Sequence, residues 1–357
     1  MQLSMELRFD FDRYPYLTQD LPGLEGRIRT EPADFQVTEV PAYTPSGEGE
    51  HFYFLLEKQG LTTRAVFEFL RDELRINEAS IGVAGLKDKH ALTRQWFSIP
   101  LRAAERLDGL ESLPGVRILQ TGVHGNKLRV GHLRGNRFRI LIRTSTPPDI
   151  ANVRSVLERL ERHGVPNYYG PQRFGIGGQN PQRGYELVTK GKGRGHPWLK
   201  RFLIGSLQSL LFNDWLAERL KEEIFERVIQ GDVAKKHDSG GEFVVQDPEA
   251  ENPRVQRFEI SATGPLYGKK YREAEGEARA FEERILARYG LKREQFAARK
   301  GDRRWIRFPL QEWALEPTPE GLWVSFFLPK GAYATTVLRE VMKRNPENAE
   351  EVEELEE

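Results

Sequence analysis

A carboxylate lies between two lysines and a histidine in the segment VAGLKDKHALTRQWFSI, residues 83–99. The segment reads as a strand, a polar turn that carries Lys87, Asp88, Lys89 and His90, and a second strand. An aspartate suits such a turn by itself, so the flanking cations need a separate explanation. They would favour the ionised form of Asp88, which can act as a nucleophile or a base. The alternative, which charge alone favours, is a turn aspartate in a solvated charge cluster.

Motifs for the other common chemistries are missing from the sequence. The chain has no cysteine, which rules out disulfides, thiolate nucleophiles, iron–sulfur clusters and cysteine-based zinc sites. The segment GPLYGKKY, 264–271, is one residue short of a phosphate-binding loop and lacks its final Ser or Thr. The glycine-rich segments 174–180 and 191–195 lack dinucleotide-binding spacing and are predicted to be flexible loops. Without an H-x-x-x-H pair or a G-x-S-x-G turn, neither a metal centre nor a serine hydrolase site is predicted.

Length and hydropathy indicate the class of protein. A chain of 357 residues predicts two domains, or one domain with a large insertion. No apolar run approaches the roughly 18 residues that span a membrane, and the N-terminus lacks the apolar core of a signal peptide. The absence of cysteine is compatible with a reducing compartment. We therefore expect a soluble, cytoplasmic protein.

The distribution of charge is more informative than the net charge of +1. Seven glutamates lie in residues 345–357, and without them the chain has eight more basic than acidic residues. This acidic tail is predicted to be a solvated, frayed end. Residues 117–143 contain seven cations and no acid, and residues 183–201 contain six cations and one acid. Such runs suit a polyanion such as nucleic acid, or they are charged strand faces of an ordinary enzyme.

Periodicity predicts the order of the secondary structure. We predict strands at 34–40, 51–58, 81–85, 93–99, 116–123, 127–133, 136–144 and 322–328, and helical segments at 63–75, 150–163, 201–229, 272–300 and 335–344. Asp149 is expected to cap the second helix, and Gly164 to end it. A short C-terminal strand and helix cannot form a core alone. The pattern therefore predicts one α+β domain interrupted by a mostly helical insertion near 164–307.

The segment around Asp88 resembles the catalytic signature of the TruD family of tRNA pseudouridine synthases, close to A-G-x-K-D-x-x-A-x-T-x-Q-W. The segment GVPNYYGPQRFGIGG, 164–178, resembles the family's N-Y-F-G-x-Q-R-F-G signature, with Tyr169 where Phe is common. Further similar segments follow the family's order over nearly the whole chain: PADFQVTEV (32–40), GEGEHFYFLLEKQGLTTR (47–64), KLRVGHLRGNRFRI (127–140), LFNDWLAERL (211–220) and LPKGAYATTVLREV (328–341).

The resemblance implies a pseudouridine synthase fold, a mixed and mainly antiparallel sheet flanked by helices, with a mostly helical α/β insertion domain specific to the family. The catalytic domain would then be discontinuous, comprising 1–163 and 308–345, with the insertion at 164–307 and the acidic tail at 346–357. The implied activity is isomerisation of uridine 13 in the D-arm of tRNA to pseudouridine. The reaction needs no cofactor, and no metal is expected.

Catalytic roles follow from the same resemblance. Asp88 matches the family's catalytic aspartate, which can attack C1′ or the uracil ring, or remove a ribose proton. Arg29 matches the basic residue that pairs with this aspartate, and an arginine fork would hold a carboxylate more rigidly than the lysine of some members. Lys87 is expected to contact phosphate or to tune Asp88. His90 is expected to be a solvated turn residue.

Four further residues match positions in the family's uridine pocket: Phe35, Asn136, Phe138 and Tyr333. An aromatic face can stack on uracil, and the amide of Asn136 can bind its edge. Core packing is the alternative for the two phenylalanines. Tyr333 stands where Phe is expected, and its hydroxyl would need a partner. Gln172 and Arg173 would shape the RNA cleft or brace the domain junction.

The implied partner is tRNA, and a monomer without a membrane or small-molecule partner is expected. The target base must leave its stack to reach Asp88, and the two basic runs would hold phosphates on either side. Two alternatives are a non-catalytic RNA-binding protein on the same scaffold and a synthase that acts on another RNA.

Overall fold

Residues 7–191 and 196–346 are described by the computed structural model, in two units. The sheet unit comprises Leu24–Arg154 and Leu310–Ala332. The helical unit comprises the described parts of Met1–Gly23, Ser155–Pro309 and Tyr333–Glu357. These units group residues 7–23 and 333–346 with the central segment, and the domain boundaries given above, 1–163, 308–345 and 164–307, stay a prediction. Apart from Pro346, the acidic tail lies outside the described residues.

The elements of the described residues are as follows in chain order. The strands are β1 (Phe35–Pro41), β2 (His51–Gln59), β3 (Gly82–Val83), β4 (Leu92–Pro100), β5 (Val116–His124), β6 (Leu133–Arg143), β7 (Val165–Pro166), β8 (Val233–Lys236), β9 (Glu242–Val244), β10 (Ile260–Leu266), β11 (Asp302–Trp305), β12 (Arg307–Phe308), β13 (Gln311–Thr318) and β14 (Gly321–Pro329). The α-helices are α1 (Thr63–Leu74), α2 (Ile150–His163), α3 (Asn180–Lys190), α4 (Pro197–Lys221), α5 (Pro248–Gln256), α6 (Gly276–Arg288) and α7 (Ala334–Met342).

The sheet unit is a mixed sheet in the order β13-β14-β6-β1-β4-β2-β5, with β3 beside β4. β1 and β4 run parallel, whereas the neighbouring pairs β1–β6, β2–β4 and β6–β14 are antiparallel. Residues directly opposite each other point to the same side of a sheet. Phe54 lies opposite Phe97, and both pack against Val66 and Leu70 of α1 in one core cluster. We call this side of the sheet the inner face.

The inner face becomes polar at its centre. Lys58 lies opposite Thr93, and Leu56 lies opposite Gln95, so the polar residues continue the row that begins with Phe54 and Phe97. Lys58, Thr93 and Gln95 are completely buried. Lys58 and Gln95 find hydrogen-bond partners in the loop that carries Asp88, whereas the buried Thr93 Oγ1 has no partner among the described residues.

The helical unit is organised around α4, most of which is buried between Leu203 and Arg219. It packs on the sheet β11-β10-β8-β9 at Gly264, where a Cβ atom would lie 2.5 Å from the Trp215 ring. Within the described part of the chain, no helix is both long and apolar enough to cross a membrane.

Most predicted elements are present, but the helical segments predicted at 201–229 and 272–300 are too long, because α4 ends at Lys221 and α6 covers only Gly276–Arg288. Asp149 accepts a hydrogen bond from the Asn152 amide at 3.0 Å, and Gly164, with a φ of 87°, follows the last residue of α2. The strand predicted at 127–133 is wrong, because Gly131 has a φ of 89° in a turn and β6 begins only at Leu133. The short strands β8 to β11 were not predicted, since they lack a clear alternation of apolar and polar residues.

Candidate active site

Asp88 lies in the loop before β4, and 48% of its side chain is exposed. The guanidinium of Arg29 donates from Nη2 to Asp88 Oδ2 at 3.1 Å, and only 6% of the Arg29 side chain is exposed. The structure therefore brings these two sequence-predicted residues together. The carboxylate is open to solvent, while its cationic partner is buried.

The Arg29 backbone is held in an unusual conformation. Its φ is 56°, in the left-handed region that residues with a Cβ seldom adopt. The preceding segment is fixed by the backbone bridge between Arg27 and Arg143, and the Arg143 guanidinium forms a two-bond fork with the carboxylate of Asp34. The Arg29 guanidinium carbon lies 4.1 Å from the Phe35 ring centroid. Such a conformation persists where its surroundings over-determine it, and these contacts on both sides meet that condition.

Three polar side chains hold the backbone of the Asp88 loop. Two of them, Lys58 and Gln95, come from the inner face of the sheet, and the third, Thr63, begins α1. Lys58 Nζ donates to the Asp88 carbonyl at 3.1 Å and to the Leu61 carbonyl at 2.7 Å. Thr63 Oγ1 accepts from the Lys87 amide at 3.0 Å. Gln95 donates to the Gly85 carbonyl at 3.1 Å and accepts from the Thr63 hydroxyl at 3.1 Å. The loop is thus fixed by its main chain, and the Asp88 carboxylate is left outside this network.

Lys87 faces the interior of the unit. Its ammonium lies 3.2 Å from Glu39 Oε2, with 6% of the Lys87 side chain and 0% of the Glu39 side chain exposed. Glu39 Oε1 also accepts from the Trp96 amide at 3.3 Å. Burial raises the pKa of Glu39, and the Lys87 charge opposes this shift. By contrast, His90 is exposed, as the sequence predicted for a turn residue.

Burial also acts on Lys58, a group without a predicted role. Removal from water lowers the pKa of its ammonium to about 8, and the nearby Asp88 charge opposes the shift. Sequence reasoning missed Lys58, Thr63, Gln95 and Glu39. The available signal was strand parity, because Lys58 shares the side of β2 that carries the buried Phe54 and Leu56.

The candidates for a uridine pocket divide between the two units. In the sheet unit, Phe138 is half-buried, with its ring centroid 6.2 Å from that of Phe35 and 5.6 Å from that of Phe326. Phe35 is only 2% exposed. Asn136 lies two residues before Phe138 on the same face, and its buried Oδ1 has no hydrogen-bond partner among the described residues. Tyr333 belongs to the helical unit, where it is 42% exposed.

Many cations of the first basic run are already paired with acids. The pairs are Arg117 with Glu57, Arg137 with Glu312, Arg139 with Glu316, and Arg143 with Asp34. Arg129 and Arg134 are exposed and have no acid partner in the described part of the chain. In the second run, Lys190 lies 3.7 Å from Glu186, and residues 192–195 lie outside the described residues.

A metal centre would need three or more carboxylate, imidazole or thiolate groups close together, and the described residues contain no such group.

Comparisons with known proteins agree over almost the whole chain. A family model described as tRNA pseudouridine synthase D (TruD) matches residues 13–191 and 194–341. A relative named tRNA pseudouridine synthase D from Thermus thermophilus is 67% identical over 339 residues, which is 95% of each chain. A relative of the same name from an Anaeromyxobacter species is 44% identical over 348 residues, covering 93% of this chain and 97% of the relative.

A solved structure has the same fold. The crystal structure of the putative tRNA pseudouridine synthase D from Methanosarcina mazei matches with a TM-score of 0.74 and 24% sequence identity. The match covers 96% of this chain and 98% of the other. This likeness supports the arrangement of elements described above.

Proposed function

Because the chain belongs to the tRNA pseudouridine synthase D family, we propose that it isomerises uridine to pseudouridine in tRNA, with Asp88 as the catalytic carboxylate. The target is uridine 13 of the D-arm, and the reaction uses no cofactor. It breaks the bond between N1 and C1′, turns the uracil, and joins C5 to C1′. The observation that carries the proposal is the exposed Asp88 carboxylate bound to the buried Arg29 at 3.1 Å.

Arg29 has two effects on the proposed nucleophile or base. Its permanent positive charge faces the carboxylate that acts in every route, whether attack at C1′, attack on the uracil ring or removal of a ribose proton. Its bond to Oδ2 also fixes the orientation of the group and leaves Oδ1 for the substrate. A carboxylate that is oriented before the substrate binds lowers the entropic part of the barrier.

The pocket residues differ in what they can offer a base. Phe35 is buried beneath Arg29, so in this proposal it supports the cation. The half-buried Phe138 supplies a stacking face, and the unpartnered Oδ1 of Asn136 accepts a hydrogen bond from N3–H of uracil. Tyr333, in the helical unit, remains a proposed uridine-binding residue on the family resemblance alone. Lys87 is held in a buried pair with Glu39, so in this proposal it positions the Asp88 loop and does not contact a substrate phosphate.

The test is the Asp88→Asn variant, which keeps the size of the side chain and removes its charge. We expect pseudouridine formation in unmodified tRNA to fall by about a thousandfold or more, with tRNA affinity within a few-fold of the parent. Mass spectrometry of nuclease fragments, after incubation without added cofactor, measures the modification and its position. Asp72→Asn, at an exposed aspartate of the same unit, is the matched control and keeps full activity. Full activity of Asp88→Asn would refute the mechanism.

The position within tRNA is tested separately. Pseudouridine is mapped in a tRNA transcript and in the same transcript with uridine 13 replaced by cytidine. We expect product only in the first. Equal amounts of pseudouridine in both transcripts would contradict the assignment to position 13, but not the proposed pseudouridine synthase activity.

A further inference from the structure

Aromatic rings and guanidinium groups form a row in the helical unit, which passes through Tyr169 at the edge of its core. The row runs through Trp198, Phe202, Arg173, Tyr169, Arg304 and Tyr333. The guanidinium carbon of Arg173 lies 5.9 Å from the Phe202 ring and 5.7 Å from the Tyr169 ring. That of Arg304 lies 4.0 Å from Tyr169 and 5.6 Å from Tyr333. Both ends of this aromatic–arginine row are open, since Trp198 is 56% and Tyr333 is 42% exposed.

The Trp198 end of the row is a flat aromatic platform. Trp198 and Phe202 are one turn apart on α4, and their rings are stacked at 5.5 Å with an interplanar angle of 6°. The later rings of the same helix, Phe212 and Trp215, are buried in the core. Packing therefore explains the later rings but leaves the exposed face of Trp198 without a structural role.

Three arginines near this platform have no ion pair within the described part of the chain. Arg173 lies 5.9 Å from the Phe202 ring, and Arg201 directly precedes Phe202 on α4. Burial, with the charges of Arg173 and Arg201, lowers the pKa of the nearby Arg299. None of the three has an acid partner among the described residues, and the buried Nε of Arg299 has no hydrogen-bond partner there.

Several other arginines of the helical unit are paired with acids, whereas Arg307 and Arg339 donate to backbone carbonyls. Arg219 binds Asp232 at 2.9 Å, Arg303 binds Glu282 at 2.8 Å and Arg288 binds Glu218 at 2.6 Å. Three arginines without an acid partner among the described residues, next to an exposed aromatic platform, can bind an external anion.

We propose that the Trp198–Phe202 platform and the cluster of Arg173, Arg201 and Arg299 bind a single-stranded segment of the RNA substrate. A base stacks on the exposed indole, and the guanidinium groups bind the adjoining phosphates. A protein partner would also require acidic side chains and a broader apolar patch, whereas stacking next to uncompensated cations matches a nucleotide chain. The proposal rests on the proposed function only in taking RNA as the ligand.

The aromatic–arginine row also gives Arg173 a role. Its Nε donates to Ser209 Oγ at 3.2 Å, which fixes the guanidinium between the rings of Phe202 and Tyr169. Through Tyr169 and Arg304 the row reaches Tyr333, the residue proposed for the uridine pocket.

The experiment measures equilibrium binding of unmodified, fluorescently labelled tRNA by anisotropy over a range of salt concentrations. The variants Trp198→Leu and Arg201→Gln change exposed side chains, and thermal unfolding checks that the fold is kept. We expect Trp198→Leu to weaken binding by about 5- to 150-fold, the usual range for loss of an aromatic stacking partner. Trp198→Phe, which retains a ring, recovers most of the affinity. Arg201→Gln lowers the slope of log affinity against log salt concentration by about 0.7.

The matched control is Arg279→Gln on α6, at an exposed arginine paired with Glu283, and it leaves affinity and slope unchanged. Affinities and slopes of Trp198→Leu and Arg201→Gln equal to those of the parent would overturn the proposal and favour a protein-docking role. Pseudouridine formation by the parent is measured separately. An inactive parent whose RNA binding depends on Trp198 refutes the proposed function alone, and an active parent with unaffected variants refutes the surface alone.

Discussion

Lys58 occupies a position where a lysine is rarely found. It is completely buried at the end of β2, and its ammonium binds the carbonyl groups of Leu61 and Asp88. A buried ammonium is tolerated when its hydrogen bonds are satisfied, and two carbonyl acceptors with a nearby carboxylate meet much of that need. The residue therefore connects the strand to the loop that presents Asp88.

Titration of Lys58 predicts how the free energy of unfolding depends on pH. Burial lowers its native pKa to about 8, whereas an unfolded lysine titrates near 10.4. Between these values the native protein has lost the proton that the unfolded chain still binds, so the contribution of Lys58 to stability rises with pH. Relative to Lys58→Met, the parent should gain up to about 3 kcal/mol between pH 8 and 10.4.

Urea unfolding of the parent and of Lys58→Met at pH 7, 9 and 10 measures this difference. Lys221→Met, at an exposed lysine of α4, is the control and should follow the parent at each pH. If the free energy of unfolding changed equally with pH in Lys58→Met and in the parent, Lys58 would have an ordinary pKa in the folded protein. Because the same change removes the bond to the Asp88 carbonyl, pseudouridine formation by Lys58→Met should also fall, by about tenfold or more.

A buried ion pair connects β1 to the loop that carries Asp88. Glu39 lies within β1, between Thr38 and Val40, and bonds to both Lys87 and the Trp96 amide. Removing one member of a buried pair leaves the other charge uncompensated, which usually costs more than removing both.

A double-mutant cycle tests this pair. We expect Lys87→Met and Glu39→Gln each to lower the free energy of unfolding by about 3–5 kcal/mol, and the double variant to lose less than the sum. Chemical denaturation at pH 7.5 measures all four proteins. The exposed pair of Arg64 and Glu68 on α1 is the control, with a coupling below about 1 kcal/mol. Additive losses at Glu39 and Lys87 would mean that the two groups are not coupled.

What the sequence predicts differs between elements for physical reasons. α2 has an apolar stripe, a capping Asp149 and a terminal Gly164, so local signals alone predict both of its ends. The pattern around Leu128 predicted a strand, but the residue lies in a loop. Its amide donates to Ser98 Oγ at 2.9 Å, and its side chain is buried in a hydrophobic cluster. Asp88 and Arg29 were found through the family's motifs. Lys58 and Gln95, which hold the Asp88 loop, were not found. The hydrogen-bond partners of a strand residue depend on which segments lie next to that strand, and the sequence does not show this.

Agreement of many segments over the full chain explains why the fold class and family could be predicted. The resemblance first noted near Asp88 extends to a family match over 13–191 and 194–341, and the predicted α+β pseudouridine synthase fold is confirmed by the structural likeness. The division into the sheet unit and the helical unit could not be predicted from sequence patterns. Residues 7–23 join the helical unit through contacts such as Arg13 with Asp214, 201 residues away in the chain.

One half-buried imidazole, His237, should contribute to the acid sensitivity of the whole protein. His237 is stacked on Trp305 at 5.6 Å and bonds through Nε2 to Ser261 Oγ at 3.0 Å. Burial and the charge of the buried Arg307 lower its pKa to about 4, compared with about 6.5 in an unfolded chain. Between pH 6.5 and 4 the unfolded chain therefore binds a proton that the native protein does not, and stability falls as the pH falls.

We expect His237 to account for up to about 3 kcal/mol of the stability lost between pH 6.5 and 4. His237→Phe keeps the stacking on Trp305 and cannot titrate, so its free energy of unfolding should change less over this range, even if the lost bond to Ser261 lowers stability at pH 7 by about 1 kcal/mol. His196→Phe, at an exposed histidine of the same unit, should retain the parent's dependence. Denaturant unfolding at half-unit pH steps measures the slopes. An equal slope for the parent and His237→Phe would assign the acid sensitivity to other groups.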